Sequence, residues 1–103
     1  MYKRQAFNYL SRQARQAEDL AKHGDWHILG TTIDAAFVSV LLGERAIAFV
    51  DERVTSAETF HGKPVFHPHD LKDGDRTVLP FGPAATSLLD RFRERYRGYF
   101  ALV

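Results

Sequence analysis

Two stretches of the chain hold residue types whose spacing could do chemistry. The first joins Gly30-Thr31-Thr32 to Asp51-Glu52. A dinucleotide site wants a glycine turn after a strand and a helix N-terminus aimed at the pyrophosphate. It also wants an acid about 20 residues on for the ribose hydroxyls. Gly30 and Asp51 fit that spacing. The other glycines are absent: Thr32 holds the second position, where a side chain obstructs close approach, and Ala35 the third, where alanine is tolerated. A plain structural turn accounts for these residues first. A looser anion or sugar-phosphate site at the Thr31 and Thr32 amides comes next, and a true dinucleotide site last.

The second stretch is His61, His67 and His69. An H-x-H pair with a third histidine nearby could hold a metal. Pro68 lies between the pair and only Asp70 has ligand-like spacing, so these read as polar loop histidines, with Asp70 capping a short helix. Arg91, Arg93, Arg95 and Arg97 alternate, which spreads them around a helix, and Asp90 and Glu94 interrupt the charge. They read as a solvated face and not as a nucleic-acid surface. No serine–histidine–acid arrangement, phosphate-binding loop or zinc knuckle is legible.

The elements that must position these residues follow from periodicity. Ala6 to His23 reads as a helix, with Phe7, Leu10, Ala14, Ala17, Leu20 and Ala21 forming one apolar stripe and Gly24 ending it. Trp26 to Gly30 is a strand. Ile33 to Leu42 is a helix with Thr32 as N-cap and Asp34 in its first turn; it is apolar nearly all round, which predicts thorough burial. Arg45 to Val50 is an apolar strand covered on both faces. A polar loop over Arg53 to Phe60 and a turn at His61-Gly62-Lys63-Pro64 lead to a short extended piece, Val65-Phe66. A helical turn at His67 to Leu71 precedes a strand at Arg76 to Phe81. Gly82-Pro83 opens the last helix, Ala84 to Arg97, which turns Ala85, Leu88, Leu89, Phe92 and Tyr96 inward. Tyr99 to Val103 is the terminal strand. Strands alternating with helices predict a small three-layer α/β domain, with a mainly parallel sheet of about four strands and helices on both faces.

Composition bounds the function. The 103 residues have room for one domain, and a net charge of +1 argues against a chain built to hold phosphate backbone. With no cysteine, disulfides and thiolate metal sites are excluded and the cytoplasm is the expected compartment. The longest apolar run, Ala35 to Gly43, is too short to span a bilayer.

From Trp26 onward the layout resembles the C-terminal Rossmann-like domain of sugar C-methyltransferases, and more loosely the N-terminal domain of sugar O-acyltransferases. The residues that carry the resemblance are Ile28-Leu29-Gly30-Thr31-Thr32, Phe49-Val50-Asp51-Glu52, Phe60-His61-Gly62-Lys63-Pro64-Val65, Pro68-His69-Asp70-Leu71, Val78-Leu79-Pro80-Phe81 and Tyr99-Phe100-Ala101-Leu102-Val103. The turn Thr31-Thr32-Ile33-Asp34-Ala35 departs from the family, which is richer there in small residues and often bears a lysine. Met1-Tyr2-Lys3-Arg4-Gln5 resembles the translation of a transposon-end adaptor from sequencing libraries, with a genuine basic leader as the alternative.

The adaptor likeness sets residues 1–5 apart as artefactual, and the family resemblance implies a leading helix over 6–24 that links to a catalytic domain upstream and a Rossmann-like domain over 25–103. It implies a non-catalytic, substrate-binding tail of a larger enzyme, with S-adenosylmethionine held by the missing catalytic domain and no cofactor or metal here. The preceding domain of the same chain would be its partner, a sugar nucleotide its ligand, and neither nucleic acid nor membrane would be involved. The expected contacts are Gly30, Thr31, Thr32 and Gly82 through backbone amides, and Asp51 and Glu52 through carboxylates. The alternatives are a stand-alone nucleotide-binding regulatory domain, and an interaction module that docks a partner through its first helix.

Overall fold

The computed structural model describes residue 12, residues 14–80 and residues 85–103. Residues 1–5, the start of the leading helix, and Gly82 therefore lie outside the described residues. Residues 14–21 form helix α1. Its apolar stripe does what the spacing predicts: Ala17 is fully buried, and Leu20 and Ala21 pack beside it. The chain then enters strand β1, Trp26–Leu29, and the Trp26 indole donates back to the Leu20 carbonyl at 2.8 Å, which ties helix to strand.

Helix α2 spans Ile33–Leu42 and is followed by a 3₁₀ turn, Gly43–Arg45. The Thr32 hydroxyl accepts the Ala35 N–H at 3.1 Å, which satisfies one of the amide groups a helix start leaves open. The expectation of thorough burial fails for this helix. Ala35, Val38, Ser39 and Leu42 are buried, but Ile33 is 88% and Val40 78% exposed. An all-round apolar sequence cannot say which side meets the sheet, and a sheet covers one side only.

Strand β2, Ala46–Val50, is likewise open at one position, Ile47. The next two elements correct the expected strand count. Glu58–Phe60 (β3) and Lys63–Phe66 (β4) form an antiparallel hairpin where a loop, a turn and a short extended piece were expected. His61 and Gly62 turn it with φ of 48° and 77°, the paired positive values of the tight hairpin turn that matches strand twist. β3 has three residues of mixed polarity at the sheet edge, so no alternation betrays it. Parallel pairing of β4 with β2 begins just after Pro64, at Phe49–Val65, so proline's missing N–H costs no bond there.

A 3₁₀ turn at Pro68–Asp70 follows, capped by His67 Nδ1 on the His69 N–H at 3.1 Å; Asp70 is not the cap. Strand β5 is Arg76–Leu79, helix α3 is Ala85–Arg95 and strand β6 is Tyr99–Leu102. The described sheet thus has six strands, not about four, in the order β3-β4-β2-β1-β5-β6. Every neighbouring pair is parallel except β3 with β4.

Two apolar layers hold the sheet. One joins Ala17 of α1 and Ala35, Val38 and Leu42 of α2 to Trp26, Ile28, Phe49, Val65 and Val78. The other joins Leu89 and Phe92 of α3 to Leu29, Val50, Leu79 and Phe100. Adjacent strand residues such as Ile28 and Leu29 fall in opposite layers, as the pleat requires. Each fully buried side chain of this size contributes roughly 1.5–3 kcal/mol. From β1 the chain steps to β2 and β4 on one side, then crosses back to β5 and β6 on the other. The direction of winding therefore reverses between β1 and β5. No helix among the described residues is long and apolar enough to cross a membrane.

Candidate functional site

Parallel strands bring their C-terminal ends, and the turns that follow them, to one edge of the sheet. The turn after β1 holds Gly30, Thr31 and Thr32; the turn after β2 holds Asp51, Glu52 and Arg53. Gly30, at φ 95°, takes a conformation that side-chain-bearing residues rarely adopt, and its N–H donates to the Val50 carbonyl at 2.7 Å. The two turns are thereby locked edge to edge. They wall an open cleft of about 230 Å³ with Leu88 and Phe92 of α3 on its far side.

Asp51 is the hub of the cleft. It is 6% exposed, and both oxygens are occupied. Oδ1 accepts the Arg53 backbone N–H at 2.8 Å and Arg53 Nε at 3.3 Å. Oδ2 accepts the Thr31 hydroxyl at 2.9 Å and Arg53 Nη2 at 3.2 Å. Burial works to raise the pKa of this carboxyl. The Arg53 side-chain and backbone bonds, the Thr31 bond and the arginine charge outweigh it, so the pKa lies below its ordinary value of 3.8. The two sides of the ion pair differ in burial: the Arg53 side chain is 78% exposed and that of Asp51 9%. The guanidinium, open to water, is loosely held, while the carboxylate is fixed between the two turns.

Glu52 points to other partners. Its Oε1 accepts Arg91 Nη2 at 2.6 Å and its Oε2 accepts the Tyr96 hydroxyl at 2.7 Å. Burial first, and the Glu52 carboxylate second, raise the Tyr96 pKa above its ordinary value. Tyr96 also meets the ring of His69 edge-on at 5.0 Å, and His69 stacks on His67 at 4.8 Å. Glu52 thus clamps the β2 turn onto α3.

Five of the six expected site residues, Gly30, Thr31, Thr32, Asp51 and Glu52, fall within these two adjoining turns. The sixth, Gly82, lies outside the described residues. At the α2 N-terminus, Thr32 already uses the Ala35 N–H and Asp34 adds negative charge, which weakens an anion site built on amides alone. Arg53, Arg91 and Tyr96 escaped the sequence reading. Arg53 left one trace: an aspartate with a donor two residues on is the pattern of a side-chain turn. Arg91 and Tyr96 lie 39 and 44 positions from Glu52, beyond any local pattern.

The histidines do not gather with acids: among the described residues, no group of three or more His, Cys, Asp or Glu side chains could hold a metal ion. A larger groove, of about 700 Å³, runs between α2 and the hairpin. There Lys63 Nζ donates to the buried Ser39 hydroxyl at 3.1 Å, pinning hairpin to helix. It lies at the N-terminal ends of β2 and β4, away from the turns that follow the parallel strands, so the smaller cleft is the better candidate. Compared with protein-family models, with curated proteins and with solved structures, the chain matches none.

Proposed function

We propose that this chain is the non-catalytic, substrate-binding domain of a larger cytoplasmic enzyme, a methyltransferase of sugar or polysaccharide metabolism. Its cleft between β1, β2 and α3 receives a sugar nucleotide. One observation carries the ligand site. Counted along the chain, the five parallel strands lie in the order third, second, first, fourth, fifth. That matches the first five strands of the Rossmann order, a sheet whose ligands sit outside the carboxyl ends of the strands where the winding reverses. Arg53 supplies positive charge there, and Asp51 a buried carboxylate.

The methyltransferase assignment rests on the resemblance of the sequence from Trp26 onward. S-adenosylmethionine would supply the methyl group from the preceding domain. This chain's own first turn suits that donor poorly, because Thr32 stands where a glycine-rich loop would approach the ligand. An interaction module is the second reading, favoured by Ile33 and Val40, which leave α2 with an exposed apolar stripe.

Thermal shift with nucleoside-diphosphate sugars separates the two. A ligand at a hundred times its Kd stabilises by about 2.7 kcal/mol, a rise of roughly 10 °C or more in a domain of this size. No rise with any sugar nucleotide would contradict the cleft as a ligand site. Reading the intact gene upstream of Ala6 tests the parent enzyme: a methyl-donor-binding domain there supports it, and its absence contradicts it.

A further inference from the structure

A carboxylate has about four lone-pair positions for hydrogen bonds. On Asp51 all four are used, by Thr31, by the Arg53 N–H, and by Nε and Nη2 of the Arg53 guanidinium. In this state Asp51 has no acceptor left for a sugar hydroxyl. Glu52 is no substitute, since Arg91 and Tyr96 hold its two oxygens.

The four bonds on Asp51 are not equal. The Thr31 and backbone bonds are the short ones, at 2.9 and 2.8 Å, and come from groups fixed by the two turns. The guanidinium bonds are longer, at 3.3 and 3.2 Å, and come from a side chain that is 78% exposed. The removable donor is therefore the guanidinium, and its departure frees one position on each oxygen. Two adjacent acceptors suit the paired hydroxyls of a sugar ring. A neutral sugar offers the departing guanidinium nothing in return. A phosphate does, because its oxygens accept the same planar fork in two parallel charge-assisted bonds.

Resting on the reading of this cleft as the ligand site, we infer that Arg53 gates Asp51, so that the cleft takes phosphorylated sugars and turns away neutral ones. Ligand phosphate draws the guanidinium off Asp51, and the sugar hydroxyls take the vacated positions. Phosphate and hydroxyls are then recognised together, each making room for the other.

The test compares UDP-glucose with methyl α-glucopyranoside on the full chain and on Arg53→Gln, following the backbone amides of Gly30 to Arg53 by NMR. Arg53→Gln keeps the backbone N–H to Asp51, and its exposed side chain leaves the core untouched. The gate predicts that the unaltered chain binds UDP-glucose at least about tenfold more tightly than the neutral glucoside. It predicts that Arg53→Gln loses about tenfold for UDP-glucose while gaining affinity for the glucoside. If the unaltered chain binds UDP-glucose but the variant weakens both ligands in proportion, or neither, the gate is overturned and the ligand site stands. If the unaltered chain binds neither ligand, the ligand site is overturned and the gate with it.

Discussion

At the scale of single residues, the buried carboxylate of Asp51 ties stability to pH. Its pKa is lowered in the folded chain, so its contribution to stability is present above the unfolded value and is lost as pH falls through the folded one. Asp51→Asn should therefore cost about 1–3 kcal/mol at pH 7 and flatten the loss of stability below roughly pH 4. Urea unfolding at both pH values checks this; an unchanged acid slope would deny Asp51 the role. Thr77 makes the opposite case. It is 1% exposed, and its hydroxyl is the buried side-chain polar atom without a partner among the described residues. Thr77→Val removes a desolvated group at nearly constant shape and should stabilise by about 1 kcal/mol, read as a raised urea midpoint. A destabilised variant would mean that the hydroxyl is bonded after all.

At the scale of elements, the turn from α3 into β6 depends on Gly98. Its φ is 106°, and a Cβ there would stand 2.7 Å from the Asp75 carbonyl oxygen, the acceptor of the Tyr99 N–H. Gly98→Ala should destabilise by about 2 kcal/mol or more, whereas Gly74→Ala, with open space around it, should change little. Equal melting temperatures for the two variants would contradict this turn. Helix α2 makes a complementary prediction. Val40 is 78% exposed, so Val40→Lys should shift stability by no more than about 0.5 kcal/mol, while Val38→Lys, at a fully buried position, should prevent folding.

The legibility of each element follows from its physics. The start of α2 was written locally, in Thr32 and Asp34. The α2 face that meets the sheet was not, because apolar residues on every side carry no direction. The β3–β4 hairpin hid behind three short edge residues and a His61-Gly62 turn in place of the usual asparagine–glycine.

At the scale of the whole molecule, the sheet order brings the turns after β1 and β2 side by side at one edge. Alternating strands and helices made a parallel sheet legible from sequence, and five of the six expected site residues lie in two adjoining turns of it. The state of those residues was not legible. Asp51 is filled by Arg53 of its own turn together with Thr31 of the β1 turn, and Glu52 is tied to Arg91 and Tyr96, 39 and 44 positions along the chain. Binding of a sugar nucleotide in the cleft at the ends of β1 and β2 is tested by titrating the isotope-labelled chain with UDP-glucose and mapping the backbone amides. Saturable shifts are expected at Gly30 to Thr32 and Asp51 to Arg53, with the α2–hairpin groove around Ser39 and Lys63 unmoved. Amides of both turns that stay in place while the titration reaches millimolar ligand would contradict it.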